Sequence, residues 1–373
     1  MKNEEPIIKE SAVFMESGEP ESRTVETQKT KCPTCGANMT FDPATQSLRC
    51  PYCDTKKELD DSAKTAEINL SEALLAGEKW SSETTLFRCS NCGAKIVLES
   101  GATARNCPFC GASNVVPTTE LSGVKPNGVL PFKMTVDEAV AASKKWGRRR
   151  LFAPRKFKKT MDPKNITGVY TPAFTFDSQT TTNYAGILGE NYTVVVRDSK
   201  GNSHTETRIR WYPVSGVHTS SFDDLLVRAG GKLTDKQLLK IEPFDTNDGL
   251  AYRNEYLSGY VADHYDRPVE EMWDEAKNRM DEIIKQEIKS KYNADHIQYL
   301  NTQTTHSGVT YKYMLLPVYV GTCQYRQKLY NFFINGRTGK ATGKVPTSPL
   351  RVIIAVLLGL AAIGGIVFLL MKG

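Results

Sequence analysis

Eight of the chain's nine cysteines fall into two sets with a single spacing. Cys32-Pro33-Thr34-Cys35 is followed, after fourteen residues, by Cys50-Pro51-Tyr52-Cys53. Cys89-Ser90-Asn91-Cys92 is followed, again after fourteen, by Cys107-Pro108-Phe109-Cys110. Each position of the second set lies 57 residues beyond its counterpart, so the spacing alone reveals an internal duplication. Two residues between thiolates let one tight turn present both sulfurs to a metal, and two such turns complete a tetrahedron. The expected ligands are Cys32, Cys35, Cys50 and Cys53 for one ion, and Cys89, Cys92, Cys107 and Cys110 for another. The implied cofactor is two structural Zn²⁺. Four thiolates close the coordination sphere and leave no position for water or substrate, which argues against catalysis at either site. Thioredoxin-like redox pairs and iron–sulfur clusters use the same residue type. Neither C-x-x-C pair lies in a βαβ pattern, however, and each comes with a partner pair.

The elements that must hold these sulfurs are short. Gly36, Gly93 and Gly111 follow second cysteines, where positive φ turns backbone amides toward sulfur; Asp54 takes that place in the remaining turn. Asn38–Asp42 and Ser47–Arg49 read as a hairpin, and Ala94–Glu99 with Thr103–Arg105 repeats it. Each unit is read as a zinc ribbon of about 30 residues, too small for an adequate apolar core, so the metal supplies the stability. Lys31, Arg49 and Arg88 each precede a cysteine and could offset the negative charge of a four-thiolate site.

The rest of the 373-residue chain carries a net charge of +6 and is 40% hydrophobic, which suits two or three folded domains. Residues 1–30 are polar and aperiodic and read as a disordered leader, with Val13-Phe14-Met15 as a possible short docking motif. The first ribbon covers 31–57, a linker with a short helix near Ser71–Leu75 covers 58–84, and the second ribbon covers 85–117. A linker over 118–128 leads to a β-rich α+β soluble domain over 129–345. It opens with a helix over Val136–Lys145, N-capped by Thr135. Alternating strands follow around Gly168–Phe176, Tyr192–Arg197, Glu206–Tyr212, Tyr311–Cys323 and Gln327–Ile334. A long helix is expected from Pro268 to Tyr292, with Val269, Met272, Trp273, Ala276, Met280, Ile283, Ile284 and Ile288 on one stripe. Asn335-Gly336-Arg337-Thr338-Gly339 is a hairpin turn. Val169-Tyr170-Thr171-Pro172 and Met314-Leu315-Leu316-Pro317 echo each other faintly.

One stretch of this domain is strongly basic. Lys144, Lys145, Arg148, Arg149, Arg150, Arg155, Lys156, Lys158 and Lys159 fall within sixteen residues, interleaved with Trp146, Phe152 and Phe157. Such a patch suits anionic lipid headgroups or nucleic acid, or is simply a solvated helix end and loop. No phosphate loop, nucleophile elbow or H-E-x-x-H motif occurs, and the five histidines show no ligand spacing. Asp263-His264-Tyr265-Asp266 reads as a loop hydrogen-bond cluster and Cys323 as a strand core residue.

Val352–Leu370 contains no charged or polar side chain over nineteen residues, roughly 28 Å of helix. A transmembrane tail anchor is therefore expected over 351–371. Lys340, Lys344 and Arg351 precede it and Lys372 follows, which places the N-terminal bulk in the cytosol of a single-pass cell-membrane protein. Reduced thiols there favour metal ligation over disulfides.

The twin ribbons, the β-rich body, the closing Leu315–Tyr319 and Tyr330–Lys340 segments and the terminal apolar helix resemble bacterial TFIIB-type zinc-ribbon membrane proteins. That resemblance implies an SPFH-domain scaffold and a PspA-type membrane-stress protein as partners. The expected function is a non-enzymatic membrane adaptor that recruits proteins. The alternative is a membrane-tethered nucleic-acid binder that uses the ribbons and the 144–159 patch.

Overall fold

The computed structural model describes residues 30–60, 63–71, 84–99, 107–112, 115–118, 126–159, 166–197, 199, 201–230, 232–264, 267–326 and 328–372. Residues 1–29 of the leader and residues 72–83, 100–106 and 119–125 lie outside them, and with them most of the expected short helix and the returning strand of the second ribbon's hairpin.

The first cysteine set sits on a three-stranded antiparallel sheet of its own: β1 (Thr40–Asp42), β2 (Ser47–Arg49) and β3 (Lys56–Glu58). A short strand, β4 (Ile68–Asn69), leads toward the second set, carried by β5 (Thr84–Cys89), β6 (Lys95–Glu99) and β7 (Val115–Thr118). From β4 onward the strands join one twelve-stranded sheet. The body adds β8 (Gly128–Val129), helices α1 (Val136–Arg148) and α2 (Arg155–Lys159), and the long hairpin β9 (Ile166–Arg197) and β10 (Ser203–Arg228). Then come α3 (Asp235–Ile241), β11 (Leu250–Ala251), β12 (Val261–Asp263) and α4 (Val269–Lys291). A second long strand, β13 (His296–Tyr325), is followed by β14 (Lys328–Asn335), β15 (Ala341–Gly343) and α5 (Pro349–Lys372).

These elements form two copies of one unit. Strand, helix, long strand and return strand recur as β8–α1–β9–β10 and β12–α4–β13–β14. The two helices begin 133 residues apart, at Val136 and Val269. The units exchange their short strands: β8 runs parallel to β13, pairing Gly128 with Met314, and β12 runs parallel to β9, pairing Val261 with Val169. β9 and β13 meet antiparallel in the middle, where Thr171 faces Leu316. Pro172 and Pro317 flank that pair in equivalent places, which explains the echo between the two tetrapeptides. A proline has no N–H for a ladder and is normally kept out of interior strands. Here each falls where its strand changes partner. β9 leaves β12 at Tyr170 and takes up β10 at Ala173; β13 leaves β8 at Leu315 and takes up β14 at Val318. The carbonyls of Pro172 and Pro317 accept from Ala229 and Gly336 on the same side, so the missing N–H points into the gap.

β9 and β13 are far longer than their apolar alternation suggests. Along β9 the buried side chains include Ser178, Thr180 and Thr182 before Tyr184 and Leu188. Hydroxyls take core-facing positions and bond inward: Thr182 to the Thr304 hydroxyl at 3.0 Å, Thr180 to the Ser220 carbonyl at 2.9 Å. α4 covers this face with Met272, Ala276, Met280, Ile284 and Ile288 fully buried, whereas Ile283 is exposed and Trp273 only partly buried. α1 carries the expected cap as a full capping box between Thr135 and Glu138 and runs three residues further than expected, to Arg148.

α5 is tied to the body at its start. The Ser348 amide donates to the Phe152 carbonyl, and the Arg351 guanidinium donates to the carbonyls of Leu151 and Ala153. Among the described residues, no helix is long and apolar enough to cross a membrane. The expected transmembrane tail anchor over 351–371 is corrected on this finding, and with it the single-pass membrane placement of the fold.

Candidate metal centres

Each cysteine tetrad comes together, with all four sulfurs within 4.8 Å of one another. In the first, Sγ of Cys32 lies 3.4 Å from that of Cys53, and Sγ of Cys35 lies 3.5 Å from those of Cys50 and Cys53. In the second, Cys89–Cys110 and Cys92–Cys107 are 3.5 and 3.7 Å apart. A tetrahedral ion with Zn–S bonds of about 2.3 Å needs sulfurs ~3.8 Å apart, so the donor set fits Zn²⁺ with little adjustment.

The four turns are built alike. The amides of Gly36, Asp54, Gly93 and Gly111 donate to the carbonyls of Cys32, Cys50, Cys89 and Cys107 at 2.8–3.1 Å. All four donors hold positive φ, 58° at Asp54 and 70–71° at the glycines, so the aspartate adopts the same turn. The turn aims amides at sulfur. Burial opposes ionisation of Cys32, but the amides of Cys35 and Thr34 overcome it and bring the thiol down to about 6. Cys89 falls to about 7 by the same balance, with amides from Cys92 and Asn91. At Cys35 the Ala37 amide favours the thiolate, yet the crowding sulfurs of Cys50 and Cys53 push it up to about 12. Four thiols this close cannot all ionise unless a cation offsets their charge. Arg49 does not supply that offset: it pairs with Asp54 at 3.0 Å, while Lys31 donates to the Asn38 side chain.

The two centres differ in their surroundings. Ribbon two is built into the sheet through β6, which pairs with β12. Its turn carbonyls are taken by the body: Cys92 accepts from Lys232, Pro108 from Thr322 and Phe109 from Asn331 at 2.8 Å. Phe109 is buried, at 3% exposure, in one cluster with Leu316, Val318 and Phe333. Among the described residues, ribbon one docks through its hairpin. The Phe41 amide donates to the Ser258 carbonyl, the Gln46 side chain donates to the Phe132 carbonyl at 2.7 Å, and the Phe41 ring meets Tyr256. Its turns face outward. Cys35 and Cys53 are exposed, and Tyr52, the counterpart of Phe109, is 83% exposed. A groove of about 620 Å³ opens beside them, lined by Lys31, Asn38, Pro51 and Tyr52 among others.

The basic stretch is distributed over the end of α1, the start of α2 and the segment between them. Lys144, Lys145, Arg148 and Arg149 are exposed at the end of α1, and Arg155 and Lys156 are exposed on α2. The Arg150 guanidinium lies 4.9 Å from the Trp146 ring centre. The side chains of Lys158 and Lys159 lie outside the described residues. Trp146 and Phe157 are core residues, Phe157 packing edge-on to Tyr325 and Tyr330, so they offer no stacking face. Asn335-Gly336-Arg337-Thr338-Gly339 is a structural corner. The buried Asn335 amide donates to the carbonyls of Ile241 and Pro243 and accepts from the Arg337 and Thr338 amides, and Arg337 pairs with Asp248. Asp263 and His264 are buried at the end of β12 rather than in an open loop; Tyr265 and Asp266 lie outside the described residues. Cys323 is buried on β13.

Two further groupings were not visible in the sequence. His218, Ser220 and Glu287 converge, but His218 and Ser220 both address the Glu287 carboxylate, so the histidine is not placed to take the serine proton. Asp177, Asp223 and Asp224 could hold a metal ion by distance. The Lys312 ammonium already sits 2.7 Å from Asp224, a cation supplied from within.

No family model matches the chain, and no solved structure does. It is similar to the uncharacterized protein YdjG of Bacillus subtilis (strain 168), 29% identical over 327 residues. The match covers 85% of this chain and 90% of that protein. The likeness therefore spans most of both chains.

Proposed function

We propose that the protein is a non-enzymatic adaptor that holds two structural Zn²⁺ ions and recruits a protein partner through its first ribbon. The observation that carries this reading is the contrast at one duplicated position: Tyr52 is 83% exposed where Phe109 is 3% exposed. A large aromatic beside a groove, on a turn fixed by a closed metal site, is the kind of residue that anchors protein interfaces. The partner classes proposed are those the family resemblance implies, an SPFH-domain scaffold or a PspA-type protein. With all four ligands from the chain, a bound ion has no open position, so its contribution is structural.

Affinity purification of the full-length protein, with metal analysis and mass spectrometry on the same sample, tests the proposal. Two Zn²⁺ per chain are expected, together with a partner that is lost in Tyr52→Ala while the metal content stays the same. Recovery of the same proteins with both chains, or material with less than one zinc, overturns it.

A further inference from the structure

A groove of about 520 Å³ lies between α1 and the turn joining β14 to β15. Lys145, Arg149, Lys240 and Lys340 line it, with Trp146 and Gly339. The four cations come from three separate parts of the chain, and no carboxylate lines the groove. Among the described residues, Lys145, Arg149 and Lys240 take no ion-pair partner; the Lys340 ammonium donates to the Glu242 backbone carbonyl at 2.8 Å. Glu242 itself is pushed toward its neutral form by burial, against the pull of Arg279 and Lys340.

Part of this charge has a local reason. Lys145 lies in the last turn of α1 and Lys240 in the last turn of α3, where a helix carries about half a negative charge. Two such ends offset about one unit, which leaves roughly three positive charges in a concave space. Lys340 and Arg149 are not explained that way. Trp146 adds an independent observation. It is 8% exposed, and its indole N–H has no hydrogen-bond partner among the described residues. Buried donors are nearly always satisfied, so an unpartnered one in a residue lining the groove is unusual.

We propose that this groove binds a ligand bearing two or more phosphate charges, held by Lys145, Arg149, Lys240 and Lys340. The volume is within the range of small-molecule sites. A long nucleic acid would need a continuous basic track, whereas Lys144, Arg148, Arg155 and Lys156 do not line this groove. The shared chemistry could be a free polyphosphate or a lipid phosphate headgroup.

The test uses the full-length, zinc-loaded protein. Inorganic tripolyphosphate is titrated in by calorimetry, and phosphatidylcholine vesicles with phosphatidic acid are used for cosedimentation. One site per chain is expected with at least one probe. The variant K145E/R149E should weaken it roughly tenfold or more, while K144E/R148E, of equal charge, should stay within about twofold. Binding of tripolyphosphate alone assigns a free phosphate, and binding of vesicles alone assigns a headgroup; both support the site. If K145E/R149E does not fold, Lys240→Gln takes its place and should weaken binding in the same assay. No binding of either probe overturns the proposal, as does equal loss in the two double variants, which would mean diffuse surface charge.

Discussion

Ribbon one and ribbon two began as one sequence pattern and now occupy different environments. Their turns share the same amide-to-carbonyl bonds and nearly the same φ values, so the metal-binding geometry is set within about six residues on each side. What differs is the far side of each turn. In ribbon two the carbonyls of Cys92, Pro108 and Phe109 are satisfied by the body, and the aromatic is core. In ribbon one the corresponding turn faces outward, and among the described residues the attachment runs through the hairpin. A closed metal site can thus serve either as a brace inside a sheet or as a stable platform for contact, and the residue two places after the third cysteine of each set, Tyr52 or Phe109, shows which.

The largest effect expected from this contrast comes from breaking one site at a time. Cys89→Ser should lower the urea-unfolding midpoint of the whole body, because ribbon two is continuous with β12 and structural zinc contributes about 10–16 kcal/mol to such modules. Cys32→Ser should leave that midpoint close to the wild type and abolish partner capture. Equal midpoints for the two variants, read by circular dichroism, would remove the distinction.

The aromatic pair sharpens it. Phe109→Ala should destabilise the protein by about 3–5 kcal/mol, the usual cost of truncating a buried phenyl ring. Tyr52→Ala should leave the thermal midpoint unchanged within error, and a clear drop would show that Tyr52 is structural after all. A smaller effect is expected from Asn331→Ala, which leaves the Phe109 carbonyl without its donor and should cost about 1–3 kcal/mol. Among the described residues, no comparable bond connects the ribbon-one turns to the body. The finest test is kinetic. With excess chelator, zinc should leave in two phases of one equivalent each. The fast phase should be the one missing from Cys32→Ser, since Cys35 and Cys53 are exposed and ribbon two's sulfurs are less so. A single phase would mean that the two sites open together.

The two cysteine groups that could hold metal ions were legible from spacing, because a tetrahedral site needs two close pairs and little else. α1 and α4 were legible from a cap and an apolar stripe. The reach of β9 and β13 was hidden because Ser178, Thr180 and Thr182 occupy inward positions that hydropathy counts as polar. The interlocked units were hidden because their common feature is a partner change at Pro172 and Pro317, and that exists only once the sheet is assembled. The run of nine cations was plain in the sequence, but not which of them share a groove. Two of them meet Lys240 and Lys340, which no local pattern could have joined to them. Tyr52 was within reach, since the 57-residue offset sets it against Phe109, but offset alone does not say which copy is covered.

The exchange of β8 and β12 constrains how the chain can mature. Gly128 finds its neighbour only when Met314 has been synthesised, and Val169 waits for Val261. A nascent chain released halfway would hold a long hairpin with bare edges and no inner seam. Contacts this distant in sequence slow assembly. The same arrangement means that the two units, expressed as separate polypeptides, carry matching gaps that each would fill for the other.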